Sequence, residues 1–239
     1  MDDKILHRIF DPNLLDAHPD EWGVVIHHPR PDAIGFATTL TPAVIRQAIA
    51  KKINLLVTHH DAWDFMLEER GAAHDLLARH KISQIWCHAP LDAADFGTSA
   101  ALLDALGCRL IGTIAEGYGR VGELPKPVPL AGVIELLDDQ LLEEPCRKYV
   151  ANRLVTRIGC VTGAGSSIAY LAEALDFDID LFITGETSLY LLEYASFRNV
   201  SVLIYSHNYT EIPGTQNLAN RIAAQLGIKN MIRLEEPHY

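Results

Sequence analysis

His59 and His60 stand side by side at the end of the run Ile53-Asn-Leu-Leu-Val-Thr-His-His-Asp61. The run is too short for a helix and rich in large aliphatics, which predicts a strand over 53–58 buried on both faces. Neighbouring side chains of a strand point to opposite faces, so two histidines share a site only at its carboxyl end, where the backbone turns. In open parallel α/β sheets that end is where ligands bind. Two imidazoles delivered there suit a metal ion; the alternative is a pair of surface histidines.

Two further strand ends carry similar chemistry. A strand over 82–88 ends in His88, with Asp92 just beyond it, and a strand over 200–207 ends in His207, with Glu211 four residues on. Pro213 is expected to open the final helix, which places Glu211 in the preceding loop. Imidazole and carboxylate together suit a borderline divalent cation. Three histidines and two carboxylates at such strand ends exceed one tetrahedral zinc site but suit two ions sharing a carboxylate. Plainer roles stand beside each. Asp92 after Pro90 could cap the next helix, His88 could be a core histidine, and His-x-x-x-Glu alone is a weak pattern. Glu186, following Gly185 at a fourth strand end, either reaches the site or opposes the dipole of the next helix from its first turn.

Other motifs carry less. His27-His28, closed by Pro29, lies far from any carboxylate motif and reads as a decoy. Gly163-Ala-Gly165 resembles the start of a dinucleotide fingerprint, but Ile168 stands where a third glycine belongs, so it reads as a tight strand-to-helix turn. No cysteine is flanked as a nucleophile, and Ser166-Ser167 lacks the nucleophile-elbow pattern.

The elements that must position these residues alternate. Thr41 and Pro42 open a helix running to Lys52. A helix over 66–80 offers Leu67, Leu76 and Leu77 to a core, and another follows over 96–107. Strands are expected at 22–28, 38–40, 109–115, 157–162, 179–184 and 228–234, and helices run to Leu175, to Phe197 and over 213–226. This alternation predicts an α/β fold of mostly parallel sheets. Glycines 117, 119 and 122 and prolines 125, 127 and 129 mark a break, placing the halves at 1–125 and 126–239.

Bulk composition narrows the function. The 239 residues are 49% hydrophobic, with 31 acids against 20 bases and a net charge of −11. That balance argues against nucleic-acid binding, which needs clustered Lys and Arg. No apolar run is long enough for a bilayer. The first residues lack a signal peptide's apolar core, and the four cysteines are scattered, which predicts reduced thiols in the cytoplasm.

Thr58-His-His60, His88-Ala-Pro-Leu-Asp-Ala93, Gly119-Arg-Val-Gly-Glu-Leu124, Gly163-Ala-Gly165, Ile183-Thr-Gly-Glu186 and His207-x-x-Thr-Glu211 occur in one order. In that order they resemble the NIF-three-like (Ngg-one-interacting-factor-three) dinuclear-metal family, whose bacterial members are often labelled type 2 GTP cyclohydrolase homologues. The resemblance covers about residues 20–235 and implies two related α/β halves facing a dinuclear metal cleft, assembled as a toroidal homohexamer. It implies His59, His60, Asp92, His207 and Glu211 as ligands of two zinc, iron or manganese ions, with Glu211 bridging. His88 then supports a ligand or shuttles a proton, and His88 or Glu186 serves as general acid or base in hydrolysis of a small anionic or nucleotide-like substrate. A non-enzymatic metal-binding, regulatory or delivery role is the alternative. Asp61 departs from the family, which usually has Pro or Gly there; many bacterial members carry a second histidine where Asn208 stands, and others a histidine near Tyr190.

Overall fold

The structure, a computed structural model, describes residues 1–2, 4–63, 68–151 and 153–237. Helix α1 spans Pro12–Asp16, capped by Asp11, and strand β1 spans Trp22–Val25. Strand β2 (Ala33–Thr39) is longer than the expected 38–40, and helix α2 (Pro42–Ala50) starts as predicted, with the Thr41 hydroxyl accepting from the Val44 N–H. Strand β3 is Leu55–His60, helix α3 is Glu69–His80, and strand β4 is Ser83–Cys87. A short helix α4 (Ala89–Ala93) precedes helix α5 (Thr98–Ala105) and strand β5 (Arg109–Ile114).

Strand β6 (Gly119–Pro129) and helix α6 (Leu130–Leu141) occupy the segment read as a break. Proline is tolerated because β6 pairs with strand β8 (Leu154–Val161) at residues 120–123 and 128–129, leaving Pro125 and Pro127 in a register irregularity. An amide without a hydrogen costs little where no ladder bond is made. The short strand β7 (Arg147–Tyr149) lies between them in sequence. Then come helix α7 (Ile168–Leu175), strand β9 (Leu181–Thr184), helix α8 (Leu189–Arg198), strand β10 (Ser201–Ile204), helix α9 (His207–Leu226) and strand β11 (Asn230–Arg233).

The chain divides into one unit of residues 1–94 with 215–237 and a second of 95–214, not at 125/126, because residue 125 lies within β6. The first unit holds a five-stranded sheet of order β1-β4-β3-β2-β11. It is parallel except at β1, which pairs antiparallel with β4. The last strand, β11, therefore extends this sheet beside β2. Val44, Ile45 and Ala48 of α2 and Ala73 and Leu77 of α3 pack over Ala33, Ala37 and Leu56 of the sheet. Leu76 is partly buried against that core, and Leu67 lies outside the described residues.

The second unit holds a six-stranded sheet of order β5-β6-β8-β9-β10-β7. It is mixed where a mostly parallel sheet was expected: only β8-β9 and β9-β10 run parallel. Two of the three antiparallel pairs come from β6, whose proline-rich sequence hid a strand, and the third is β7 against β10. One core cluster joins α5, α6 and this sheet through Leu103, Leu137, Ile158 and Leu203, and closes on Tyr205. The fully buried Tyr205 hydroxyl donates to Asp138 at 2.8 Å. Tyr205→Phe is expected to cost about 1–2 kcal/mol, because it strands a partner rather than removing both; urea unfolding measures it. All four cysteines are free thiols, with Cys87, Cys108 and Cys160 buried. Among the described residues no helix is long and apolar enough to cross a membrane.

Candidate metal centre

In the first unit the histidine pair occupies the last two positions of β3, and both side chains are buried. The strand runs on through them, where a turn was expected after residue 58. The register pairs His60 with Thr39, whereas β4 stops at Cys87. The two rings still converge over the strand end, with centroids 4.6 Å apart. His88, immediately after β4, adds a third ring 4.9 Å from His59 and 5.2 Å from His60. One donor atom from each of these three histidines can lie within 4.8 Å of the others, close enough to share a cation.

What holds each ring decides which nitrogen faces a ligand. His59 Nδ1 lies 2.9 Å from the Cys87 carbonyl, which only accepts, so Nδ1 carries the hydrogen. In the neutral ring that leaves Nε2 with a lone pair, and the Asp92 carboxylate sits 3.5 Å from it. Two electron-rich atoms facing each other in a buried site are an arrangement that a cation resolves. Asp92 lies inside α4, and the cap position of α5 is Gly97, so the helix-capping role does not apply. His60 Nδ1 meets the Thr39 hydroxyl at 2.9 Å, and Thr39 is fixed through its own N–H by the Glu236 carboxylate at 2.8 Å. His88 Nδ1 donates to Glu21 at 2.5 Å.

In the second unit helix α9 begins at His207, not at Pro213, so Glu211 is helical and stands one turn from His207. A proline forgoes one helical hydrogen bond. Packing outweighs that loss here, because α9 presses so closely on the Gly97–Thr98 backbone that a side chain at Gly214 would collide with it. His207 Nε2 lies 3.4 Å from Glu211, and its Nδ1 donates to Glu186 at 2.7 Å. Burial pulls the His207 pKa down, but the hydrogen bond and charge of Glu211, then those of Glu186, raise it to about 9. The acids that hold a proton there would equally attract a metal ion, so the two compete. Glu186 is exposed and precedes the Ser188 cap of α8, so it is not a first-turn acid; its carboxylate orients a ring.

The Gly163-Ala-Gly165 turn belongs to this arrangement. Gly163 has φ +58, and a methyl group there would collide with the Glu211 carboxylate and the His207 ring. A side chain at Gly185 would strike the Gly163 carbonyl, the His207 backbone and the Thr210 hydroxyl. The glycines let α9 bring its first turn against the ends of β8 and β9.

The His27-His28 pair is anchored elsewhere through its backbone, where both amides donate to the Ser83 hydroxyl, and neither residue falls in the metal-competent groups found among the described residues. Asp61 is buried and accepts from Gln84 and His74, each at 3.2 Å. Burial raises the Asp61 pKa, but the His74 hydrogen bond and charge, with help from Ala62 and Gln84, leave it lowered overall. Sequence reasoning missed Glu21, Thr39 and Glu236, which hold the rings through contacts distant in the chain. No spacing marks them.

Together these features define a two-sheet α/β protein with histidine and carboxylate groups that could bind a metal ion. The family model described as Duf34/NIF3 (NGG1p interacting factor 3) matches residues 3–236, and the chain belongs to that family. A Yersinia pestis relative named GTP cyclohydrolase 1 type 2 homolog is 29% identical over 196 residues, spanning 78% of this chain and 77% of that one. The structure of protein ybgI, described as of unknown function, matches with TM-score 0.84 at 23% identity, covering 100% of this chain and 99% of that one. TTHA1606 from Thermus thermophilus matches with TM-score 0.81 at 22% identity over 99% of both chains. At those identities the two structures establish the fold, and the family resemblance drawn from the motifs holds.

Proposed function

We propose that this chain holds two divalent cations through His59, His60, Asp92, His207 and Glu211 and acts as a metal-dependent hydrolase. The observation that carries the reading is shared by these histidines and His88. Each engages Nδ1 with an oxygen of the protein, which turns Nε2 outward as the donor. Ligating histidines characteristically bond their other nitrogen to a carbonyl or carboxylate in this way. The donor set is nitrogen and oxygen only, which suits zinc, iron or manganese.

Bound cations would polarise a carbonyl or phosphoryl oxygen and make a water acidic near neutral pH, from ~15.7 toward ~7. The protein's own contribution is orientation and proton movement. Glu186 aims His207, and Thr39 aims His60. His88, half-exposed with Glu21 behind it, is placed to pass a proton at Nε2 as general acid or base. The substrate is a small anionic or nucleotide-like molecule whose charge the cations offset. The name of the relatives, GTP cyclohydrolase 1 type 2 homolog, supports a nucleotide. Assembly into a homohexamer belongs to the same proposal, and light scattering on the purified chain tests it.

Two measurements test the reading. Glu186→Ala is expected to weaken metal affinity about 10- to 100-fold by freeing the His207 ring, as read by competition with a chelating dye. Metal-loaded protein is expected to turn over at least one member of a panel of nucleotides, phosphoesters and cyclic amides, with the rate reduced in His88→Ala. An inert panel, with His88→Ala changing nothing, overturns the hydrolase and favours a metal-binding or delivery protein.

A further inference from the structure

A cavity of about 430 Å³ opens beside the histidine group of the first unit, with Trp22, Trp63, Trp86, Asp61, Asp20 and Arg70 in its wall. That volume is in the range of small-molecule sites. The chain has three tryptophans in all, and every one lines this cavity. Trp63 joins the cavity to the histidines: its ring lies 5.2 Å from His88 and 6.0 Å from His60. Trp63 and Trp86 meet nearly perpendicularly at 5.7 Å, an edge-to-face pair within the wall. Asp61 is fixed by Gln84 and His74, and Arg70 lies 3.6 Å from it.

We propose that this cavity is a binding subsite for a planar nitrogen heterocycle of nucleobase size. The indoles supply flat apolar surface on which such a ring stacks, and stacking tolerates any ring with a π-face. The two carboxylates accept from ring N–H groups, and the single guanidinium donates to a ring carbonyl or nitrogen. Acids outnumber bases in the wall, which selects a neutral ring over an anionic one. Any anionic part of the ligand would lie toward His60 and His88, on the far side of Trp63. The inference deepens the hydrolase reading and rests on it for the reaction, though not for the cavity.

Because all the tryptophans report from one place, intrinsic fluorescence is the direct readout. The full chain is titrated with guanosine, adenosine and cytidine, and with choline and ribose 5-phosphate as non-aromatic comparisons, in metal-loaded and chelator-stripped forms. At least one nucleoside is expected to quench saturably below about 1 mM, with the comparisons inert. Trp63→Leu should weaken that binding about tenfold while retaining metal. Asp20→Asn, at an exposed position that leaves the fold intact, should weaken it several-fold. Failure of every nucleoside, choline binding as tightly as any ring, or unchanged affinity in both variants overturns the subsite. Ring binding without turnover in either form upholds the subsite and overturns the hydrolase. Turnover without ring binding does the reverse.

Discussion

His59→Ala combined with Glu211→Ala is expected to reduce bound metal from about two ions per chain to well below one, as counted by elemental analysis after dialysis. His59 is fully buried and Glu211 nearly so; His59 Nε2 lies 3.5 Å from the Asp92 carboxylate, and the Glu211 carboxylate lies 3.4 Å from His207 Nε2. Losing either removes a ligand from the proposed centre, and losing both removes Glu211 as the candidate bridge between the ions. A buried imidazole replaced by a methyl group also leaves a cavity, costing about 2–5 kcal/mol on the scale of large-to-small core changes. His59→Gln is therefore the companion variant, since it keeps most of the volume and removes the ring nitrogens. Near-native circular dichroism with metal lost in both variants supports the assignment. Unchanged metal content refutes it.

Gly163→Ala should be nearly as damaging, although the side chain it adds is a single methyl group. The residue sits in the left-handed region, where an alanine costs about 1–3 kcal/mol. The methyl group would also occupy space taken by the Glu211 carboxylate, so α9 must retreat or the carboxylate must swing away. Either movement spoils the His207–Glu211 geometry. The expected result is a fall in Tm of several degrees, at roughly 2–4 °C per kcal/mol for a chain of this size, with metal affinity lowered in parallel. Gly71→Ala is the control. Gly71 lies within α3 with nothing near its missing methyl group, so alanine there should stabilise by about 0.5–1 kcal/mol. Equal behaviour of the two variants would show that the Gly163 turn is not shaped by the site.

What the sequence made legible was the chemistry at strand ends. His59-His60, Asp92 and His207-x-x-x-Glu211 could be picked out because a buried apolar run that ends in polar donors is unusual, and several such runs occurred. Local reasoning failed where long-range packing outvoted propensity. Pro213 read as a helix start, yet α9 begins six residues earlier because its Pro213-Gly214 segment lies against Gly97–Thr98. The prolines of 125–129 read as a break, yet Pro125 and Pro127 fit a strand at an unpaired stretch of its ladder, and Pro129 is its last residue. The first unit is closed by the C-terminal β11, a pairing across nearly the whole chain that no local pattern announces. The same distance hid Glu236, which fixes Thr39 and through it His60.

The proposed metal centre depends on each ring being anchored at Nδ1 so that Nε2 binds metal. Nitrogen-15 NMR of histidine-labelled, metal-free protein titrated with zinc tests this directly. The Nε2 resonances of His59, His60 and His207 should shift on binding while their Nδ1 nitrogens stay anchored. Coordination through Nδ1, or no response from these imidazoles, would contradict it.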